Sequence, residues 1–180
     1  MEQTLIPHHS HTPILHPQTY VFNGVHIIGQ VEIQKDCSIW FGSVLRGDVH
    51  YIQIGQRSNI QDLTTIHVGY PDSEGRGYVK IGEDVTIGHN CIIHGCTIED
   101  FVIVGMGSII MDDAHIGAHS IVGAGSLVTK GKKFPPKSLI MGNPAKFIRE
   151  LSDQEILSIA ESSRHYVELA QSYKLIQGKE

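Results

Sequence analysis

Aromatic side chains, cysteines and long apolar runs are all scarce in this sequence. Phe, Trp and Tyr make up 7% of the 180 residues while glycine occurs 19 times. That balance favours many small turns over a few long helices. The three cysteines, Cys37, Cys91 and Cys96, form no CxxC pair and no even set. They do not read as a disulfide framework, and they fit a reducing compartment. No apolar stretch is long enough to span a bilayer. The N-terminus lacks the basic-then-apolar layout of a signal peptide, so the expectation is a cytoplasmic protein with no membrane partner. A formal net charge of −5 and the lack of a basic run argue against nucleic acid and membrane surfaces. Apolar residues reach 41%, enough for a core, and the length suits one domain with room for a short extra element.

What is present is a register of six. An aliphatic residue opens each step at Ile27, Ile33, Ile39 and Leu45, and after three extra residues at Ile54, Ile60 and Ile66. A loop follows, then Ile81, Ile87, Ile93, a five-residue step to Ile98, and Val104, Ile110, Ile116, Val122 and Val128. The fifth position is mostly small, as at Cys37, Ser43, Cys91, Ser108 and Ala114, and glycine recurs at the second, where it is expected to relieve the corners. A hexad with one large and one small inward residue implies short strands joined by tight corners. No hexad can bury its own apolar side, so the hexads must stack into a solenoid. The repeat resembles that of the hexapeptide-repeat proteins, which implies an all-β left-handed parallel β-helix of triangular section, here of about five coils. The expected division is 1–26 as a lead-in segment, 27–134 as the β-helix, and 135–180 as a linker and C-terminal helix. Ser152 and Glu155 form a capping-box signature. Ile156, Ile159, Ala160, Ser163, Val167, Ala170 and Tyr173 then mark the helix face turned to the solenoid. His8, His9 and His11 read as part of a solvated tail.

Labelling successive hexads by face puts Leu45, Ile66 and Ile93 on one face, a coil apart each time. The residues after them, Arg46, His67 and His94, form one outward column at the inter-strand spacing of about 4.8 Å. Ile60 and Ile87 stack on another face, which places Asp62 above His89 with Gln61 beside them. His67 and His94 are placed to share a metal ion. His89 lies round a corner, and a neighbouring subunit supplies it more easily than the same chain. A trimer with parallel prism axes would set one such face against the other. Three histidines with an open fourth position match the hydrolytic zinc pattern.

The runs VLRGD (Val44 to Asp48), NIQD (Asn59 to Asp62), TIHV (Thr65 to Val68) and IGHNCIIHG (Ile87 to Gly95) resemble the γ-class carbonic anhydrases. The resemblance covers residues 15 to 175. It implies reversible hydration of carbon dioxide to bicarbonate by a metal-bound hydroxide at the interface of a homotrimer. His67, His89 and His94 would be the metal ligands, with Zn2+ as the default ion and Fe2+ or Co2+ as alternatives. Gln61 would orient the hydroxide, Asn59 would support the substrate pocket, and Arg46, Asp48 and Asp62 would form an ion-pair network across the interface. Tyr166 matches a tyrosine directed toward the site. The chain departs from the family pattern at Val49, where a glutamate follows the aspartate of the Arg-x-Asp motif. Its loop after His67 is also short and offers only Asp72 and Glu74 as proton carriers.

Other histidines and cysteines carry plainer readings. His115 and His119 fall outside the columns and read as solvated. Cys37 and Cys91 occupy the small inward position as core filler, and the frame position of Cys96 disfavours it as a ligand. Two rival functions share the scaffold: an acyl-CoA thioesterase or acyltransferase, and a non-catalytic metal-bound trimeric scaffold.

Overall fold

The computed structural model describes residues 4–177. A corner every six residues keeps most strands to two or three residues. The first rung holds β1 (Leu5–Ile6), β2 (Ile14–Leu15) and β3 (Tyr20–Val21). The second holds β4 (His26–Ile33), which bends round one corner, and β5 (Ser38–Ile39); the third repeats that plan with β6 (Val44–Ile54) and β7 (Asn59–Ile60). Next come β8 (Thr65–His67), β9 (Val79–Ile81) and β10 (Thr86–Ile87), then β11 (Ile92–His94), β12 (Thr97–Ile98) and β13 (Ile103–Val104). The last two rungs are β14 (Ile109–Ile110), β15 (His115–Ile116) and β16 (Ile121–Val122), and β17 (Leu127–Val128), β18 (Lys133–Phe134) and β19 (Ser138–Gly142). Strand β20 (Ala145–Glu150) folds back antiparallel on β19. One face is therefore an eight-stranded sheet in the order β20-β19-β16-β13-β10-β7-β5-β3. The bent strands β4 and β6 join the other two faces into one twelve-stranded sheet.

Every face carries seven parallel rungs, and β20 adds an eighth strand to one of them, so the expectation of about five coils is corrected. The cause is visible in the register, which runs past both ends assigned from sequence. Leu15 pairs with Ile33 and Val21 with Ile39 at the start, while Phe134 pairs with Ile116 and Ile140 with Val122 at the finish. Pro13, Pro17, Pro135 and Pro136 sit between strands, where no ladder hydrogen bond is lost. The segment before residue 27 thus carries a rung of its own, and β19 extends the solenoid beyond residue 134.

Ile27, Ile39, Leu45, Ile60, Ile66, Ile87 and Ile93 are fully buried along the prism axis. Corners are turned at the fourth hexad position, which takes positive φ whatever its side chain: Asp36 (57°), Arg57 (59°), Asp84 (55°) and Asn90 (56°) are examples. Glycine at the second position has a different role from the one expected. A Cβ on Gly88 would stand 2.6 Å from the Met106 backbone nitrogen. The position is small because the neighbouring rung passes so close.

Helix α1 (Asp153–Gln177) begins at the expected capping box. The Ser152 amide donates to the Glu155 carboxylate at 2.9 Å, the Glu155 amide donates to Ser152 Oγ at 3.3 Å, and Arg149 clamps the same carboxylate with two bonds of 2.8 Å. The helix lies against β5, β7 and β10. It buries Ile159, Ser163 and Ala170, while Ala160 is exposed rather than on the packed face. Trp40 stacks on Phe22 at 4.4 Å and receives Tyr166 and Tyr173 edge-on at 5.7 and 5.5 Å. Ser163 donates to Asp84, which Arg57 grips with bonds of 2.9 and 2.6 Å. No helix among the described residues is long and apolar enough to cross a membrane.

Candidate metal centre

Parallel pairing sets Arg46 against His67 and His67 against His94 across β6, β8 and β11. The core is filled by the residues that precede them, Leu45, Ile66 and Ile93, so strand alternation turns these three side chains outward. His67 Nδ1 lies 3.2 Å from His94 Nε2. Arg46 donates to Asp48, whose second oxygen lies 3.1 Å from His67 Nε2. Burial acts to raise the Asp48 carboxyl, but the hydrogen bonds from Arg46 and His67 outweigh it and hold the group below its ordinary range. Burial also pushes the His67 imidazole below its usual value, against the opposing pull of Asp48. A neutral imidazole is the form that binds metal.

Asp112 was not singled out from sequence, yet its Oδ1 holds His94 Nδ1 at 2.9 Å. The signal was available one rung further along the same face, where Ile110 pairs with Ile93 and Asp112 follows two residues later. The second column stands as expected. Asp62 Oδ2 lies 2.7 Å from His89 Nδ1 at the turn after β10. His89 stays on that corner, away from His67 and His94. Among the described residues, no three His, Cys, Asp or Glu side chains of one chain converge to hold a metal ion. The ionic partners divide likewise: Arg46 pairs with Asp48, and Asp62 pairs with His89.

Gln61 and Asn59 are buried beside the second column. Gln61 Nε2 donates to Asn59 Oδ1 at 3.2 Å, and Asn59 Nδ2 donates to Thr86 Oγ1 at 2.9 Å. Tyr166 reaches this group from α1. Burial and the Asp62 charge push its phenol upward, and a hydrogen bond with Gln61 draws it partly back. In the loop after β8, the Asp72 carboxylate accepts from the Glu74 and Arg76 amides and from the Arg76 side chain, whereas Glu74 meets Arg76 only at 3.4 Å.

Away from this cluster, His115 is paired with Glu99 at 2.7 Å rather than simply solvated, and His119 stacks on Phe101. Residues His8 and His11 join through their backbones into a tight turn. Cys37 and Cys91 are buried filler, with burial pushing the Cys37 thiol up to about 12. Cys96 also faces the core, and burial raises its thiol strongly.

Two family models match: bacterial transferase hexapeptide (six repeats) over residues 95–130, and hexapeptide repeat of succinyl-transferase over residues 78–111. Fold and repeat together define a hexapeptide-repeat β-solenoid. Relatives narrow the class. Over 173 residues the chain is 41% identical to the carbonic anhydrase of Geobacillus kaustophilus, covering 96% of this chain and 92% of that one. It is 42% identical over 170 residues to gamma carbonic anhydrase 2, mitochondrial, of Arabidopsis thaliana, covering 94% of this chain but 61% of the plant protein. This chain thus spans about three-fifths of that relative's length. The crystal structure of a hexapeptide transferase family protein from Anaplasma phagocytophilum shares the fold at a TM-score of 0.89 and 41% identity, covering 96% of this chain and 99% of that one. The chain belongs to the γ-carbonic-anhydrase-like family of hexapeptide-repeat proteins.

Proposed function

We propose that this protein is a carbonic-anhydrase-like metalloprotein that hydrates carbon dioxide reversibly to bicarbonate, at sites shared between the subunits of a homotrimer. The observation that carries this reading is the split donor set. His67 and His94 face each other at 3.2 Å, while His89 is held round the corner by Asp62. Each chain then offers two ligands on one face and a third on another, and copies arranged in a closed ring complete each other's sites. Ile92 and Ile109 stack outward on the face of His94 and stay 47% and 37% exposed. An apolar strip beside a half-built site fits burial by a second copy.

The donor chemistry fits a divalent ion. Asp112 and Asp62 hold Nδ1 of His94 and His89, which leaves Nε2 of each ring as the candidate ligand atom, that of His94 beside His67 Nδ1. His67 and His94 of one subunit with His89 of the partner subunit would hold Zn2+ or a similar ion. When bound, such an ion supplies Lewis acidity and brings a coordinated water's pKa near 7. The chain's own residues do the positioning. Burial lowers the His67 imidazole below its usual value, which favours the neutral form, and Asp48 fixes its ring. Gln61, with Nε2 committed to Asn59 Oδ1, presents a fixed amide for aligning a reacting oxygen. Tyr166, packed edge-on against Trp40 from α1, would line the helix side of the site. Asp72 is engaged in shaping its loop, which leaves Glu74 as the freer carboxylate to pass a proton to solvent.

The transferase name of the Anaplasma relative supports a second reading, in which the same solenoid acts on acyl-CoA thioesters. Stopped-flow carbon dioxide hydration by metal-loaded protein, with His94→Ala alongside, separates the two. Turnover above buffer that vanishes in the variant supports the proposal. A fully metallated trimer that turns over thioesters and not carbon dioxide contradicts it.

A further inference from the structure

We propose that Thr86 and Ser162 are positioning residues that lock the Gln61 amide in one orientation, so that helix α1 acts as part of the reaction centre. The inference rests on the function proposed above for Gln61. Its physical basis is a continuous side-chain chain of hydrogen bonds. Gln61 Nε2 donates to Asn59 Oδ1 at 3.2 Å, Asn59 Nδ2 donates to Thr86 Oγ1 at 2.9 Å, and Thr86 Oγ1 shares a hydrogen bond with Ser162 Oγ at 3.2 Å.

A glutamine amide has two ends of similar shape and opposite hydrogen-bonding sense. Which end faces a reacting oxygen must therefore be fixed by neighbours. Asn59 does this for Gln61 only while its own oxygen points that way. Turned over, it would set two amide nitrogens against each other. Thr86 adds the constraint when its hydroxyl proton is given to Ser162 Oγ: its backbone pairs with Asn59 across β10 and β7, and its hydroxyl can then only accept, from the Asn59 nitrogen. Ser162 anchors Thr86 from α1. One turn further along that helix, at i+4, Tyr166 packs edge-on against Trp40 and holds the helix to the solenoid. The helix thus holds the Ser162 end of the chain.

Burial makes the lock effective. Asn59, Gln61 and Thr86 are 1%, 5% and 5% exposed, so water does not readily replace a lost partner. Asp84, held by Arg57 and Ser163, ties the neighbouring helix residue to the same rung and keeps Ser162 in place.

The test reads the amide directly. Side-chain amide exchange of Gln61 and Asn59 is followed by 15N NMR, with the resonances assigned through Gln61→Glu and Asn59→Asp. Thr86→Val and Ser162→Ala are expected to speed Gln61 side-chain exchange by about tenfold or more, as local opening replaces the lock. Thr86→Ser keeps the hydroxyl and is expected to restore the slow exchange. In carbon dioxide hydration, Thr86→Val is expected to lower kcat roughly tenfold with KM little changed, the size of loss typical when a supporting hydrogen bond is removed. Folded Thr86→Val or Ser162→Ala protein with wild-type Gln61 exchange and shifts overturns the proposal. If Thr86→Val does not fold, Ser162→Ala at the helix surface decides by the same readout. Absence of carbon dioxide turnover in the wild type would remove the proposed function while leaving the exchange result to judge the lock.

Discussion

Gly88→Ala separates the two reasons a solenoid can need glycine. A Cβ at this position would stand 2.6 Å from Met106 N, 2.9 Å from Met106 Cα and 2.9 Å from Val104 O. Carbon contacts settle at about 3.5 Å or more, so the two rungs would have to part by roughly 0.5–1 Å. All three opposing atoms are backbone, and no rotamer change relieves them. The rungs are tied at this point by the Gly88 amide donating to the Val104 carbonyl at 2.8 Å. Overpacking of this kind costs about 1–3 kcal/mol, and weakening the hydrogen bond adds about 1 kcal/mol. The expected loss is thus about 2–4 kcal/mol, read as a lower denaturation midpoint with an unchanged slope. His89 follows Gly88, so its contact with Asp62 should loosen as well. Gly125→Ala serves as the comparison, because that glycine has φ of +69° and nothing within 4 Å of its would-be Cβ. Its expected cost is the left-handed conformation alone, about 1–2 kcal/mol, and Gly125→Asn should cost less. A Gly88→Ala protein within about 0.5 kcal/mol of wild type would refute the close-approach argument.

Asp112→Ala removes the carboxylate that orients His94 and is expected to weaken metal affinity about 10–100-fold in a competition titration with a chromophoric chelator. Unchanged affinity would show that Asp112 does not set the ring. Ile92→Lys places a charge in the strip proposed to be covered by a second copy, at a cost of about 2 kcal/mol or more per subunit from the lost apolar burial. Sedimentation velocity should then show monomers, and an intact trimer would contradict the placement of the interface. Glu155 is held down to about 2 by Arg149 and Ser152. A depressed carboxyl stabilises the folded state above its unfolded value near 4.3 and loses that contribution as pH falls through the folded value, so the N-terminal turn of α1 should loosen between about pH 4 and pH 2. Hydrogen exchange at that turn reports it, and a Glu155→Gln protein with the same pH dependence would argue against the cap as the cause.

Much of the fold was legible because the period of six acts on every rung and leaves the same mark each time. The stacking of Arg46, His67 and His94, and of Asp62 over His89, follows from counting alone and appears in the ladder register and side-chain contacts. The count of rungs went astray where the outer rungs break the pattern of isoleucine and glycine. Leu15, Val21, Phe134 and Ile140 keep the register, but prolines lie beside Leu15 and Phe134 and read locally as ends. The role of the second-position glycines was hidden for another reason. Close approach between rungs is a property of two hexads eighteen or so residues apart, and a single hexad carries no trace of it. Thr86 was legible as the residue stacked on Asn59, but Ser162 was not. Helical periodicity identifies a buried face and leaves open which rung it meets. The division of the three histidines between two faces was legible too, and it is the feature on which the proposed shared site rests.

The most direct test of the shared site is complementation between two inactive variants. His89→Ala and His94→Ala proteins are each expected to lose metal and carbon dioxide hydration when assembled alone. Unfolded together and refolded as a 1:1 mixture, they are expected to form mixed trimers in which one interface joins an intact His67–His94 pair to an intact His89. Random assembly into closed rings then restores roughly a quarter of the wild-type sites, measured as bound metal per subunit and as hydration rate. Recovery near that level is the result expected from sites built between subunits. Mixed trimers that bind no more metal than either variant alone would contradict it.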